Sequence, residues 1–198
     1  MRRAVAVLLA CLVLASCTAD PETTGVSPGG SHVDVDTPEL RAVKARAGVA
    51  GCPADQGSSE LPEVTLRCLG GGPDVDLSTL RGPLVINLFA QWCGPCRKEL
   101  PYYEALHRKA KGAVRVVGVD YRDTQPAAAL KLVEETGVTY PLLADPEGQL
   151  RADLKVRGLP GVVLVDADGT VTTEFRVVKS YAELRDLVRD RLDVRLPA

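Results

Sequence analysis

An α/β sandwich on a mixed sheet is the fold class this chain predicts, on three observations. Two nearly continuous apolar runs, PLVINLFA (residues 83–90) and VRVVGVD (114–120), are each followed by a stretch of helical character. Strands buried on both faces read this way. The segment GVVLVD, ADG, TVTTEF reads as strand, tight turn, strand. The last long segment, SYAELRDLVRDRL, has a capping box in Ser180 and Glu183 and carries Leu184, Leu187 and Val188 on one face. The length of 198 residues, with 45% hydrophobic and 25% charged residues, suits one soluble domain with a full-sized core.

The chain opens with Arg2 and Arg3 before twelve apolar residues, 4–15. A membrane span needs about 20 apolar residues, so a short run behind positive charge reads as a secretion signal. It ends LASC, which resembles the bacterial lipoprotein signal, with cleavage before Cys17 and the lipid on Cys17. Residues 1–16 are therefore expected to be a signal peptide, 17–48 a flexible tether rich in Pro, Gly, Ser and Thr, and 49–198 the folded domain. The formal charge is −2, and losing Arg2 and Arg3 takes it to −4. No basic block is present, which argues against nucleic acid as a partner.

Further elements follow in order. TPELRAVKARAG is either a short helix, with Thr37 as N-cap and Pro38 first, or loose chain. Residues 61–68 alternate as a strand, and GGGPD turns the chain. Residues 83–90 are a central strand and about 94–111 a helix. After the strand at 114–120, residues 125–137 form a helix ended by glycine. YPLLADPEG reads as a loop with a turn.

Six cysteines are present. Cys11 leaves with the signal and Cys17 takes lipid. Cys93 and Cys96 are close neighbours, which leaves Cys52 and Cys68 to each other as a staple worth about 3 kcal/mol in chain entropy. A second redox pair is the rival reading. A four-Cys zinc site is a weak match, because only one CxxC is present, and no metal or cofactor is assigned.

A CxxC that leaves a buried strand and opens a helix has a chemical consequence. Cys93 sits where helix amides are unpaired and the dipole is positive, and both favour its thiolate. Cys96 lies one turn in, within reach of the first sulfur. Gly94 is expected to let the backbone turn tightly, and Pro95 suits the first helical turn.

WCGPC, residues 92–96, matches the thioredoxin active site, and LVINLFAQWCGPCRKELP is similar to the TlpA/ResA-like envelope thioredoxins. The resemblance runs from about Leu61 to Leu192 and includes LSTLRG, Pro101, VVGVD, YPLLAD and GLPGVVLVDADG. It implies a thioredoxin-like fold with an N-terminal strand extension and a strand-helix insert at roughly 121–146. It also implies thiol-disulfide exchange by Cys93 and Cys96, a cis bond at Pro160 facing the dithiol, substrate pairing with the backbone at Leu159, and an apolar rim at Trp92. Implied partners are protein dithiols and disulfides, apocytochrome c among them, and an envelope redox partner that recycles the dithiol on the extracytoplasmic side of the membrane.

Three positions depart from the thioredoxin pattern. Asn87 stands where cytoplasmic thioredoxins have a buried aspartate, and an amide cannot take the Cys96 proton. Gln91 replaces the usual small or acidic residue. Gly161 replaces the usual threonine and is expected to loosen its loop. Lys98 and Glu99 read as solvated helix charges, and His107 as a helix surface residue. Two other functions compete. A thiol peroxidase on this fold needs Thr-x-x-Cys and an arginine, whereas the residue three before Cys96 is Cys93. A copper-binding module is suggested by the soft thiolate pair, but the copper-delivery relatives space their cysteines more widely and add a distal histidine.

Overall fold

The computed structural model describes residues 33–197 other than Asp55. The readings for the signal, Cys11, Cys17 and the first part of the tether, up to residue 32, concern residues outside that range. No helix among the described residues is long and apolar enough to cross a membrane.

The elements run α1 (Pro38–Ala47), β1 (Thr65–Cys68), β2 (Val75–Asp76), β3 (Leu84–Phe89), α2 (Gly94–Ala110), β4 (Arg115–Tyr121), α3 (Pro126–Thr136), β5 (Leu142–Asp145), α4 (Leu150–Asp153), β6 (Gly161–Val165), β7 (Val171–Glu174) and α5 (Tyr181–Leu192). The strands form one mixed sheet in the order β2-β1-β5-β4-β3-β6-β7. β4 pairs in parallel with β3 and with β5, and the remaining pairs are antiparallel.

Alternation along the strands divides the core between the two faces. Val85 and Phe89 of β3 join α2, α3 and α5 on one side. Leu84, Ile86 and Leu88 join Leu66, Leu77 and Leu154 on the other. The helices end on local signals. Thr37 accepts from Leu40 N–H, Gly48 and Gly137 take left-handed conformations after α1 and α3, and Ser180 accepts from Glu183 N–H. The Glu183 carboxylate reaches back one residue further than a capping box requires, to Lys179 N–H at 2.9 Å.

The segment at 33–48 is not tether. α1 is folded, packs on α3 and buries Leu40, with Val35 buried just before it. Gly70 N–H bonds to Val35 carbonyl at 2.8 Å. The folded body thus begins at Val33 rather than residue 49. YPLLADPEG is also not simply loop. Its LLAD core is β5, fully buried and zipped between β4 and β1. Four residues between two prolines are too few to show a period, so only sheet pairing defines this strand. With α3 it fills the region expected of the insert.

Candidate active site

β3 and β4 are parallel, β6 is antiparallel to β3, and Leu88 pairs with Gly161. The end of β3, the end of β4 and the start of β6 therefore meet at one edge of the sheet. Parallel strands place functional groups at such carboxyl ends. Cys93, Asp123, Leu159 and Pro160 come together there from distant parts of the sequence.

Cys93 is the N-cap of α2, and its Sγ accepts from Cys96 N–H at 3.3 Å. Cys93 and Cys96 are disulfide-bonded with Cα atoms 5.3 Å apart. Both are buried, whereas Trp92 beside them is 56% exposed and donates its indole N–H to Arg122 carbonyl at 3.3 Å. The Leu159–Pro160 bond is cis, as is Gly82–Pro83, which sequence reasoning did not anticipate. Leu159 lines the same cleft as Trp92. Among the described residues no three His, Cys, Asp or Glu side chains are arranged to hold a metal ion.

Two glycines behave differently from expectation. Gly94 is ordinary helix with open space where a Cβ would sit, so the turn does not depend on it. Gly161 begins β6, and a Cβ there would lie 3.2 Å from Leu88 Cδ1 and from Phe175 Cε1. Phe175 occupies the vacated space, so this end is packed rather than loosened. Asn87 is buried, and its amide donates to the Tyr140 hydroxyl at 3.2 Å. Lys98 is exposed, and His107 is half-buried with its ring edge-on to Tyr140.

Sequence reasoning missed the carboxylates that brace this site. Asp123 is buried and accepts from Gln91 N–H at 2.7 Å and from Gln125 N–H at 2.9 Å. It thereby ties the loop carrying Trp92 and Cys93 to the end of β4. The Asp120 carboxyl is buried close to that of Asp123, and its Oδ1 has no partner among the described residues. Burial, and then the neighbouring negative charge, push Asp120 well above the ordinary carboxylate range. The available signal was an acid ending the apolar run VRVVGVD, followed three residues later by a second acid.

Glu99 is not a solvated charge. It is only 1% exposed, and its Oε1 accepts from Val178 N–H at 2.7 Å across the gap between α2 and the segment leading to α5. Oε2 has no partner among the described residues. Burial pushes its pKa up to about 7. An acid whose folded pKa is raised binds more protons folded than unfolded, so stability falls as pH rises from about 4.5 to about 7 and levels above that. Glu99→Gln removes that slope. The thermal midpoint of the wild type is expected to fall across this window relative to the variant, and parallel curves would overturn the assignment.

A disulfide bridging the first turn of the helix after a central strand, with a cis-proline strand start beside it, defines a thioredoxin-fold protein. The chain belongs to the Redoxin family, whose family model matches residues 56–189. It is 37% identical over 101 residues to the thiol:disulfide interchange protein CycY of Rhizobium leguminosarum bv. viciae, covering 50% of this chain and 53% of that protein. It is 33% identical over 127 residues to the thiol:disulfide interchange protein DsbE of Pseudomonas fluorescens biotype C, covering 63% and 69%. A secreted Mycobacterium tuberculosis disulfide oxidoreductase, described as homologous to E. coli DsbE, superposes with TM-score 0.59 at 27% identity, covering 66% of this chain and 97% of that one. The chain spans about half the length of the first curated relatives it matches.

Proposed function

We propose that the protein is a thiol-disulfide oxidoreductase acting on exported proteins through Cys93 and Cys96. The observation that carries the reading is the Cys93–Cys96 bond at the N-terminus of α2, beside exposed Trp92 and the cis Leu159–Pro160 step. The names of the interchange-protein relatives agree with it.

In the reducing direction, Cys93 thiolate attacks a substrate disulfide. One bond forms between Cys93 sulfur and a substrate sulfur, and the other substrate sulfur leaves as a thiolate that takes a proton. Cys96, deprotonated, then attacks Cys93 sulfur. The Cys93–Cys96 bond forms, and the second substrate sulfur departs as a thiolate. Two electrons pass to the substrate, and the protein ends as its disulfide. The reverse sequence oxidises a substrate dithiol. Helix amides and dipole stabilise the attacking thiolate, and the backbone at Leu159 is available to pair with an extended substrate segment. Trp92 forms the apolar rim of the same site.

In this reading the protein works on the extracytoplasmic side of the membrane, held by lipid on Cys17, with a membrane or envelope redox partner that recycles the dithiol. Apocytochrome c is among its substrates. The reading is tested by insulin disulfide reduction with wild type, Cys93→Ser and Cys96→Ser. Wild type is expected to turn over and both variants to lose turnover, and equal activity in all three would refute the assigned roles.

A further inference from the structure

The cleft beside the dithiol carries a charge that catalysis does not require. It has a volume of about 320 Å³, and its walls include Trp92, Leu159, Arg122, Arg151 and Arg157. The three arginines come from three separate segments: the loop after β4, helix α4 and the loop leading to Pro160. All three are exposed. None has a carboxylate ion-pair partner among the described residues, whereas Arg41, Arg46, Arg67 and Arg191 on other surfaces each have one. The Arg157 guanidinium lies 5.7 Å from the centre of the Phe175 ring, a contact that leaves its charge unneutralised.

The nearby carboxylates are committed elsewhere or lie outside the cleft. Asp123 holds Gln91 and Gln125 N–H, and Asp145 holds Gln149 and Leu150 N–H at 2.7 and 3.0 Å. Glu147 and Asp153 are exposed and do not line the cleft. A local positive field thus sits on a chain whose net charge is −2, and clefts focus such fields.

We propose that this cleft selects substrates whose reactive cysteine is flanked by Asp or Glu, with Arg122, Arg151 and Arg157 as specificity-determining residues. The inference rests on the exchange reading above. A substrate segment paired at Leu159 runs past Trp92 into the arginines, so acidic side chains next to its cysteine meet unpaired guanidinium groups. Each exposed pair is worth up to about fivefold, and three acting together give a preference of roughly tenfold.

The test uses reduced full-length protein and disulfide-linked peptides that differ only in Glu, Gln or Lys beside the cysteine. Each rate is divided by that with dithiothreitol, which removes the peptides' own reactivity. Wild type is expected to prefer Glu over Gln by about tenfold at low salt, to disfavour Lys, and to lose most of the preference at high salt. Arg151→Gln with Arg157→Gln should bring the Glu/Gln ratio towards one, and Arg→Lys at both positions should restore much of it. A wild-type ratio near one, or a ratio that survives the Gln substitutions, overturns the inference and leaves the exchange reading standing. Failure of wild type to reduce even the Gln peptide overturns both.

Discussion

Cys96→Ser, mixed with a disulfide-bonded substrate, is expected to accumulate as a covalent adduct through Cys93. The chemistry divides the labour. Cys93 caps α2 and receives the Cys96 N–H at 3.3 Å, so its thiolate is stabilised by the helix terminus. Cys96 is one turn in and 1% exposed, placed to reach Cys93 rather than a bulky substrate. Removing Cys96 leaves capture intact and deletes release. Turnover should fall by about two orders of magnitude or more, while non-reducing electrophoresis shows the adduct, which dithiothreitol dissolves. Cys93→Ser should show neither turnover nor adduct. An adduct through Cys96 in the Cys93→Ser protein, at a rate matching the converse variant, would reverse the assigned order of attack.

Cys52→Ala with Cys68→Ala is expected to lower stability by about 3 kcal/mol, from the entropy of a loop of this size. In a body of roughly this length that corresponds to about 6–12 °C in thermal midpoint, measured without reductant. The two cysteines are bonded, 16 residues apart in sequence with Cα atoms 6.0 Å apart. The bond fastens the segment before β1 to that strand, which is itself paired to β5. Lys44 from α1 lies over it, with Nζ 3.0 Å from Cys68 Sγ and 2.7 Å from Gly71 carbonyl. The bridge therefore also backs α1, which the sequence left open between a short helix and loose chain. Insulin reduction is expected to survive the double substitution, which separates a staple from a second redox pair. Lost activity with an unmoved midpoint would favour the redox alternative.

Much of this molecule was legible in its sequence because the relevant signals are local. The apolar runs of β3 and β4, the hairpin of β6 and β7, and the caps at Thr37, Gly137 and Ser180 each act within one strand or one helical turn. The dithiol belongs to the same class, since a CxxC at a strand-to-helix junction carries its own electrostatic setting. The tertiary structure decided the rest. It docked residues 33–48, with α1 at Pro38–Ala47, onto the folded body, drew LLAD into the sheet as β5, and buried Glu99 against Val178. It also buried Asp120 and Asp123 together, with Asp123 holding the active-site loop, and gathered Arg122, Arg151 and Arg157 into one cleft. Burial and convergence depend on segments that are far apart along the chain and meet only once the sheet has formed. No property of the neighbouring residues alone reports which side chains will share that edge.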